Sequence, residues 1–222
     1  MSDKHYDTFV FDLDGTLLNT LPDLVVLTNG VLREMGYPER TTEEILSFVG
    51  NGVKALMVQA VPEGTPEEDV ERALAVWKEH FLTYENALTH PYPGIVEMLE
   101  ALHARGCKVG VMPNKFEAGV HQILDLCLPG LIDVAHGETP DIPRKPDPTG
   151  ILLTIHELGS TPENTVYVGD SPGDIKGGRA AGAFTVAVAW GYFPKETLKA
   201  LDPAPDLVID TPAELLTLAS EA

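Results

Sequence analysis

The chain has 222 residues, and 34 acidic residues against 15 basic ones give it a formal net charge of −19. Hydrophobic residues make up 44 % and charged residues 22 %, which is typical of a globular protein and excludes a disordered chain. No apolar run approaches the roughly 18 residues of a membrane span, and the start lacks the basic and apolar segments of a secretory signal. Nucleic-acid binding would need a basic face. We therefore expect a soluble cytoplasmic protein with no membrane or nucleic-acid partner, either a monomer or a dimer.

Short apolar runs alternate with helical patterns over most of the chain. Tyr6–Leu13 is rich in aromatic and β-branched residues and leads into Asp-Gly, which predicts a buried strand and a turn. Later strands are predicted at Lys108–Met112, Thr165–Val168, Phe184–Ala189 and Leu207–Ile209, with a weaker one at Leu131–Ala135. Helices are predicted between them at Gly94–Ala104, Ala118–Leu126, Gly150–Leu158, Ile175–Ala181 and Ala213–Ala219. This alternation predicts an α/β core, a doubly wound, Rossmann-like parallel sheet with helices on both faces.

The stretch from about residue 22 to residue 87 breaks the alternation. It contains three helical patterns and no strand between them: Asp23–Met35, Glu43–Ala60 and Pro66–Tyr84. Proline-containing segments flank it on both sides. We therefore predict a small helical cap domain, residues 17–90, inserted after the first strand of a core formed by residues 1–16 and 91–222.

Polar residues with chemical potential follow the predicted strands. In open α/β sheets, ligands bind beyond the carboxyl ends of the strands, so these residues are candidates for one site. They are Asp12, Asp14, Gly15 and Thr16 after the first strand, Pro113, Asn114 and Lys115 after the second core strand, Lys145 in a proline-flanked loop, and Asp170, Ser171 and Asp174 after the Thr165–Val168 strand.

These residue types suit phosphate chemistry. An anionic substrate on so acidic a chain needs a local positive centre, which a divalent cation held by carboxylates supplies. Oxygen ligands from Asp12 and Asp170, with Asp174 as a further candidate, suit Mg²⁺. One carboxylate can attack phosphorus, and a second can protonate the leaving oxygen. Asp12 and Asp14 alternate along an extended chain, so their side chains are expected to point in different directions.

Three segments together resemble the haloacid dehalogenase superfamily in order, spacing and strand context: Asp12–Thr16, Lys145 and Gly169–Asp174. The resemblance covers nearly the whole chain, and the helical insertion resembles that superfamily's small cap. It implies that Asp12 is the nucleophile, that Asp14 is the general acid and base, and that Lys145 orients nucleophile and phosphate.

The same resemblance implies a Mg²⁺ site. Its ligands would be Asp12, Asp170 and the backbone carbonyl of Asp14, and Asp174 is a further predicted ligand. Asp174 has the alternative role of capping the helix that follows it.

Further features indicate a subgroup of the superfamily. The acid at Asp14 is typical of phosphatases and mutases and is lacking in true dehalogenases. The segment Phe48–Gly52 resembles the substrate loop of phosphoglycolate phosphatases. We predict that Thr16, Asn114, Asn51 and Gly52 bind substrate, although Asn51 and Gly52 have the alternative of a simple turn. The expected activity is Mg²⁺-dependent hydrolysis of a small phosphorylated metabolite, with 2-phosphoglycolate first, through an aspartyl-phosphate; a sugar-phosphate mutase is the alternative.

One position departs from the family. Pro113 stands where the family normally has Thr or Ser, whose hydroxyl donates to the substrate phosphate, and proline has neither that hydroxyl nor a backbone N–H. Loss of one preorganised donor commonly lowers a rate by about 10²–10³-fold. The departure therefore predicts a slowed enzyme, and it leaves open a weakened phosphatase fold that only binds its ligand. The neighbouring Lys115 is interpreted as a solvated charge outside the site.

Overall fold

The computed structural model describes residues 5–220, and the strands within that range follow the apolar runs of the sequence. The strands are β1 (Thr8–Phe11), β2 (Leu18–Asn19), β3 (His90–Pro91), β4 (Lys108–Val111), β5 (Val134–Ala135), β6 (Thr165–Gly169), β7 (Phe184–Val188) and β8 (Leu207–Ile209). The α-helices are α1 (Leu21–Glu34), α2 (Thr42–Phe48), α3 (Gly52–Ala60), α4 (Glu67–Thr83), α5 (Ile95–Ala104), α6 (Glu117–Cys127), α7 (Thr149–Glu157), α8 (Pro172–Ala181) and α9 (Lys195–Lys199). Two 3₁₀ turns cover Pro162–Asn164 and Pro212–Thr217.

The main sheet is parallel and covered on both faces, which confirms the predicted fold class. Its strand order is β5-β4-β1-β6-β7-β8, and every neighbouring pair runs parallel. Side chains of a strand alternate between faces: Phe9 and Phe11 pack in one cluster with α5 and α6, whereas Val10 packs in another with α7 and α8. The sequence alternation therefore corresponds to a doubly wound sheet.

The order of the strands brings the candidate site together. Strand β1 lies between β4 and β6, with Phe11 in register with Val111 on one side and Val168 on the other. The backbone N–H of Asp12 continues the pairing by donating to the carbonyl of Val168 over 2.8 Å. Because all three strands run the same way, the residues that follow them emerge at one edge of the sheet.

The helices α1 to α4, called the cap below, have an apolar core of their own. Trp77 and Phe81 of α4 are buried and stack with ring centroids 5.3 Å apart. The core domain contributes Phe116, whose ring meets both of them edge-on. The antiparallel strands β2 and β3 pair where the chain enters and leaves the cap. The division at residues 17–90 remains a prediction.

One predicted cap helix is wrong. The pattern Glu43–Ala60 predicts a single helix, but the structure has two, α2 and α3, because the backbone between them is not helical. Val49 is extended, and Gly50 and Gly52 have φ angles of +109° and +76°, a region that glycine adopts readily. The segment 49–51 thereby becomes a loop that faces the sheet edge.

Smaller differences concern short elements. The predicted helix Ala213–Ala219 is a 3₁₀ turn over Pro212–Thr217, and α9, β2 and β3 lie outside the predicted elements. The predicted helix Ile175–Ala181 begins earlier, at Pro172, after the capping residue Ser171. Among the described residues, no helix is long and apolar enough to cross a membrane.

Candidate active site

Three buried carboxylates meet at the carboxyl ends of β1 and β6. Asp12 follows β1, Asp170 follows β6, and Asp174 lies in the first turn of α8; none is more than 7 % exposed. One oxygen from each lies within 4.8 Å of the other two. Buried charges of one sign at such separations repel strongly unless a cation compensates them.

Lys145 places its ammonium group in this cluster. Its Nζ lies 2.6 Å from Asp12 Oδ1, 2.7 Å from Asp174 Oδ1 and 2.9 Å from the Tyr167 hydroxyl. An ammonium group has three N–H donors, so these contacts use all of them. Burial lowers the pKa of Lys145, but the charges of Asp12 and Asp174 more than offset it and hold the pKa well above its usual value.

One lysine does not neutralise three carboxylates, and the pKa values reflect this. Burial, and then the charge of Asp174, raises the pKa of Asp12 to about 7, although Lys145 acts in the opposite direction. Burial followed by the charges of Asp12 and Asp174 raises the pKa of Asp170 well above its usual range. The cluster is therefore short of positive charge.

Asp174 caps helix α8 and also contacts the ammonium group of Lys145. Its Oδ2 accepts from the backbone N–H and the hydroxyl of Ser171, at 2.9 and 2.6 Å, in a reciprocal capping box at the start of α8. Its Oδ1 contacts Lys145 and accepts from the Tyr167 hydroxyl. The cap fixes the carboxylate, and the same carboxylate holds the lysine.

The second aspartate of the first motif faces elsewhere. Asp14 lines the cleft above the cluster, where its carboxylate lies 3.3 Å from the Nζ of Lys115. Asp12 and Asp14 thus have different cationic partners, as their alternation along the chain predicts. The interpretation of Lys115 as a solvated charge is wrong, since it is only 6 % exposed and its Nζ lies 4.7 Å from the centre of the Phe81 ring.

The four residues predicted to bind substrate lie in different environments. Thr16 is buried, and its hydroxyl donates to Asp170 Oδ1 over 3.1 Å, beside the carboxylate cluster. Asn114 lines the cleft, but its amide is engaged: it donates to the Gly50 carbonyl of the cap, and its oxygen accepts from the Lys145 backbone N–H. It therefore connects the cap loop to the lysine loop.

The two cap residues of that set form the end of the loop before α3. Gly52 lines the cleft, and a Cβ there would lie 3.0 Å from the carbonyl of Asn114, so the cap backbone passes close to the core at this point. Asn51 is exposed, and its carbonyl accepts from the Arg144 guanidinium. The substrate-binding roles of Thr16, Asn114, Asn51 and Gly52 remain predictions.

Sequence analysis did not find Tyr192 as a site residue. Its backbone N–H donates to Asp170 Oδ2 over 2.7 Å, and its hydroxyl accepts from the backbone N–H groups of Thr20 and Leu21 at the start of α1. Burial raises the pKa of the Tyr192 hydroxyl. The preceding Gly191 permits this approach, because a Cβ there would lie 2.3 Å from that of Asp170. No motif marks Tyr192, which follows a strand without any predicted site residue.

An open cleft lies between the cap and the sheet edge. Its floor contains Asp12, Asp14, Lys145 and Asp170, and its sides include the cap residues Gly50 and Gly52. The side chains that surround the remaining space are largely apolar. The arrangement therefore places a charged reaction centre beneath largely apolar walls, and exclusion of water by a bound substrate would strengthen the electrostatic interactions there.

The donor set fits a hard divalent cation. Asp12, Asp170 and Asp174 offer carboxylate oxygens close together, and Mg²⁺ prefers a few carboxylates with water and phosphate completing its shell. Burial, and then the charges of the neighbouring carboxylates, raises the pKa values of Asp12 and Asp170, and a bound cation would oppose both effects by stabilising the ionised forms. The backbone carbonyl of Asp14 as a further ligand remains a prediction.

Comparisons with known proteins identify the family of this chain. The model of a family described as haloacid dehalogenase-like hydrolase matches residues 9–188. A phosphoglycolate phosphatase from Aquifex aeolicus is 35 % identical over 210 residues, with 94 % of each chain covered. The N-acetylmuramic acid 6-phosphate phosphatase of Pseudomonas aeruginosa is 32 % identical, covering 96 % of this chain and 94 % of that one. The crystal structure of a Lactobacillus delbrueckii protein superposes with a TM-score of 0.88 at 28 % identity, covering 98 % of this chain and all of the other.

Proposed function

The chain belongs to the haloacid dehalogenase-like hydrolase family, and we propose that it is a Mg²⁺-dependent phosphatase of small phosphate monoesters, with 2-phosphoglycolate the first candidate substrate. The observation that supports it best is the contact of Lys145 with both Asp12 and Asp174 directly below the cleft. That arrangement provides a fixed carboxylate and a fixed cation at one point, as phosphoryl transfer requires.

Asp12 is the nucleophile in this proposal. Lys145 holds one of its oxygens at 2.6 Å, which orients the carboxylate and leaves the other oxygen for attack on phosphorus. The attack forms an aspartyl-phosphate and expels the alcohol, so that one difficult displacement becomes two easier ones. The ammonium group of Lys145 also stabilises the charge that spreads over the phosphoryl oxygens.

Asp14 is the general acid and base. It lines the cleft outside the cluster, with a side chain 19 % exposed, where it could reach the ester oxygen of a bound substrate. It donates a proton to the leaving alkoxide in the first step and removes one from water in the second. The different directions of Asp12 and Asp14 permit the two carboxylates to act on opposite bonds of one phosphorus atom.

Asp12, Asp170 and Asp174, with the Asp14 backbone carbonyl, are the residues we propose to hold Mg²⁺. When bound, this ion would neutralise the carboxylates and screen their repulsion of the phosphate. Thr16 and the backbone N–H of Tyr192 both donate to Asp170, so they hold the carboxylate that would bind the ion in a fixed orientation.

Two alternatives are less well supported. A sugar-phosphate mutase would have to protect the aspartyl-phosphate from water and return it to a second hydroxyl, whereas both relatives described above are named phosphatases. A protein that only binds its ligand would not need the complete set of Asp12, Asp14, Lys145 and Asp170. The intact set favours catalysis.

Phosphate release from a panel of esters tests the proposal. The panel contains 2-phosphoglycolate, hexose phosphates, a nucleoside monophosphate and pyrophosphate, each with Mg²⁺ and with a chelator. We expect release that depends on Mg²⁺, and a higher melting temperature in Mg²⁺ than in chelator at pH 8. Since protons compete with the metal for the carboxylates, the gain in melting temperature should shrink at pH 5. A folded protein that shows neither phosphate release nor stabilisation by Mg²⁺ would contradict the proposal.

A second prediction concerns Pro113, which is buried at the end of β4. If the missing hydroxyl limits the rate, Pro113→Thr should raise kcat/KM for the best ester by about 10²–10³-fold, the usual effect of one preorganised donor. Valine has nearly the shape of threonine but lacks the hydroxyl, so Pro113→Val is the matched control and should show no such gain. An equal rate in the wild type and Pro113→Thr would show that the departure is without kinetic effect.

A further inference from the structure

The part of the cleft beyond the reaction centre is apolar. A sugar in this space would place several hydroxyls against hydrocarbon, and each hydroxyl without a partner is unfavourable. A leaving alcohol that fits must therefore be short or poor in hydroxyls. The side chains that form this wall are Leu24, Val49, Val53, Leu56, Trp77, Phe116 and Phe193.

Most polar side chains of the cleft already have partners. The amide of Asn114 binds the Gly50 carbonyl and the Lys145 backbone, and the Ser171 hydroxyl donates to Asp174. The Tyr192 hydroxyl accepts from the start of α1. The ammonium group of Lys145 has three partners in the cluster. These groups are not available to recognise the alcohol part of a substrate.

Lys115 is different. Its Nζ lies 3.3 and 3.5 Å from the two oxygens of Asp14, longer than the 2.7–2.9 Å typical of a strong charge-assisted hydrogen bond. Its other neighbour is the face of the Phe81 ring, at 4.7 Å. Among the described residues that line the cleft, Lys115 is the cation that retains donors for a second anion.

We propose that Lys115 determines substrate specificity by binding a carboxylate on the alcohol part of the phosphate ester. This inference rests on the proposed function and deepens it. Asp14 must lie within a hydrogen bond of the ester oxygen, about 2.6–3.2 Å. Lys115 Nζ, 3.3 and 3.5 Å from the two oxygens of Asp14, therefore lies at most about 6.7 Å from the ester oxygen.

This distance selects a short molecule. With ordinary bond lengths, a carboxylate oxygen on the carbon next to the ester carbon lies roughly 3 Å from the ester oxygen. A charge-assisted hydrogen bond of about 2.8 Å then reaches Lys115. The substrate class is thus a phosphorylated 2-hydroxy acid whose substituent on the ester carbon is small or apolar. Hexose phosphates are expected to be poor substrates.

The proposal is tested by removing the charge of residue 115 and the charge of the substrate carboxylate, separately and together. We measure kcat/KM for 2-phosphoglycolate and for its neutral carboxamide with the wild type, Lys115→Met and Lys115→Arg. In the wild type we expect the carboxylate ester to be preferred. In Lys115→Met the preference should fall by about 10- to 100-fold, the value of a hydrogen bond between charged groups, and Lys115→Arg should retain most of it. Lys78→Met is the control, because Lys78 lies over the Phe116 ring outside the cleft.

Because Lys115 also contacts Asp14, the variant can slow both esters. An equal loss with both esters, leaving the preference unchanged, would mean that Lys115 acts only through Asp14 and would overturn the proposal. A preference for hexose phosphates in the wild type would overturn it as well.

Binding gives a readout that does not depend on turnover. By titration calorimetry in Mg²⁺, 3-phosphonopropionate should bind the wild type more tightly than its carboxamide, and Lys115→Met should remove the difference. This measurement separates two failures: if no ester is hydrolysed but the selective binding is present, the phosphatase function fails and the specificity of Lys115 stands. Equal binding of both phosphonates would overturn the role of Lys115.

Discussion

Asp12→Asn is expected to lower Mg²⁺-dependent phosphate release by about 10⁴-fold or more, the size of effect that follows the loss of a catalytic nucleophile or its partner. The amide cannot form the aspartyl-phosphate, although it has nearly the same shape. Phosphate release under saturating ester, followed over hours, measures the residual rate. Mass spectrometry after a rapid acid quench should detect a phosphorylated Asp12 in the wild type only.

The same variant should be more stable than the wild type in chelator at pH 8. The pKa of Asp12 is raised to about 7 in the folded protein, so its ionisation opposes folding, and the stability of the metal-free wild type falls as pH rises from about 4 to about 7. Asparagine removes the contribution of Asp12 to that dependence. Below pH 4, where Asp12 is protonated in both states, the two proteins should have similar free energies of unfolding.

This stability measurement separates chemistry from unfolding. Asp125→Asn on the exposed face of α6 is the matched control and should change neither activity nor stability. Retained activity in Asp12→Asn would contradict the assignment of the nucleophile. Lost activity together with a lower melting temperature in chelator at pH 8 would contradict the account of the charge cluster.

Lys145→Met is expected to lower the free energy of unfolding by about 3–5 kcal/mol in chelator at pH 8, because it leaves Asp12 and Asp174 buried without their cation. The loss should be smaller at pH 5, since Asp12, whose pKa is raised to about 7, is then largely protonated and needs no counter-charge. Phosphate release should also fall, by at least about 10²-fold, because a fixed cation at the phosphoryl group is lost. Urea unfolding at the two pH values measures the first effect.

Lys195→Met provides the comparison. Lys195 makes an equally short ion pair with Asp210, at 2.6 Å, but this pair lies at the surface, and such pairs contribute about 0–1 kcal/mol. A similar loss of stability in the two variants would show that burial of the Lys145 pairs has no special effect. A loss of stability in Lys145→Met that is the same at pH 5 and at pH 8 would show that Asp12 does not titrate as proposed.

The order of strands and helices could be predicted from the sequence, because burial on both faces produces continuous apolar runs for strands and a 3.6-residue pattern for helices. The meeting of Asp12 and Asp170 could also be predicted, since parallel strands deliver the residues after them to one edge. The helix break after Phe48 was not predicted, although a turn at Asn51 and Gly52 was an alternative, because the apolar pattern continues through this segment. In the structure the extended Val49 and the positive φ angles of Gly50 and Gly52 end the helix.

The sequence by itself therefore determined the fold class, the edge that carries the chemistry and the acidic residues that gather there. The family resemblance implied that Lys145 orients Asp12, whereas only the tertiary structure showed that Lys145 also contacts Asp174 and that Lys115 contacts Asp14. Lys145 and Asp12 are 133 residues apart, and Lys115 and Asp14 are 101 apart, so neither contact leaves a local pattern. Burial of Lys115 beneath Phe81 depends on how the cap packs against the core. The sequence does not show whether a lysine side chain is exposed to water or buried in a cleft. Local periodicity specifies elements, whereas the partners and solvation of a charge depend on the packing of the whole chain.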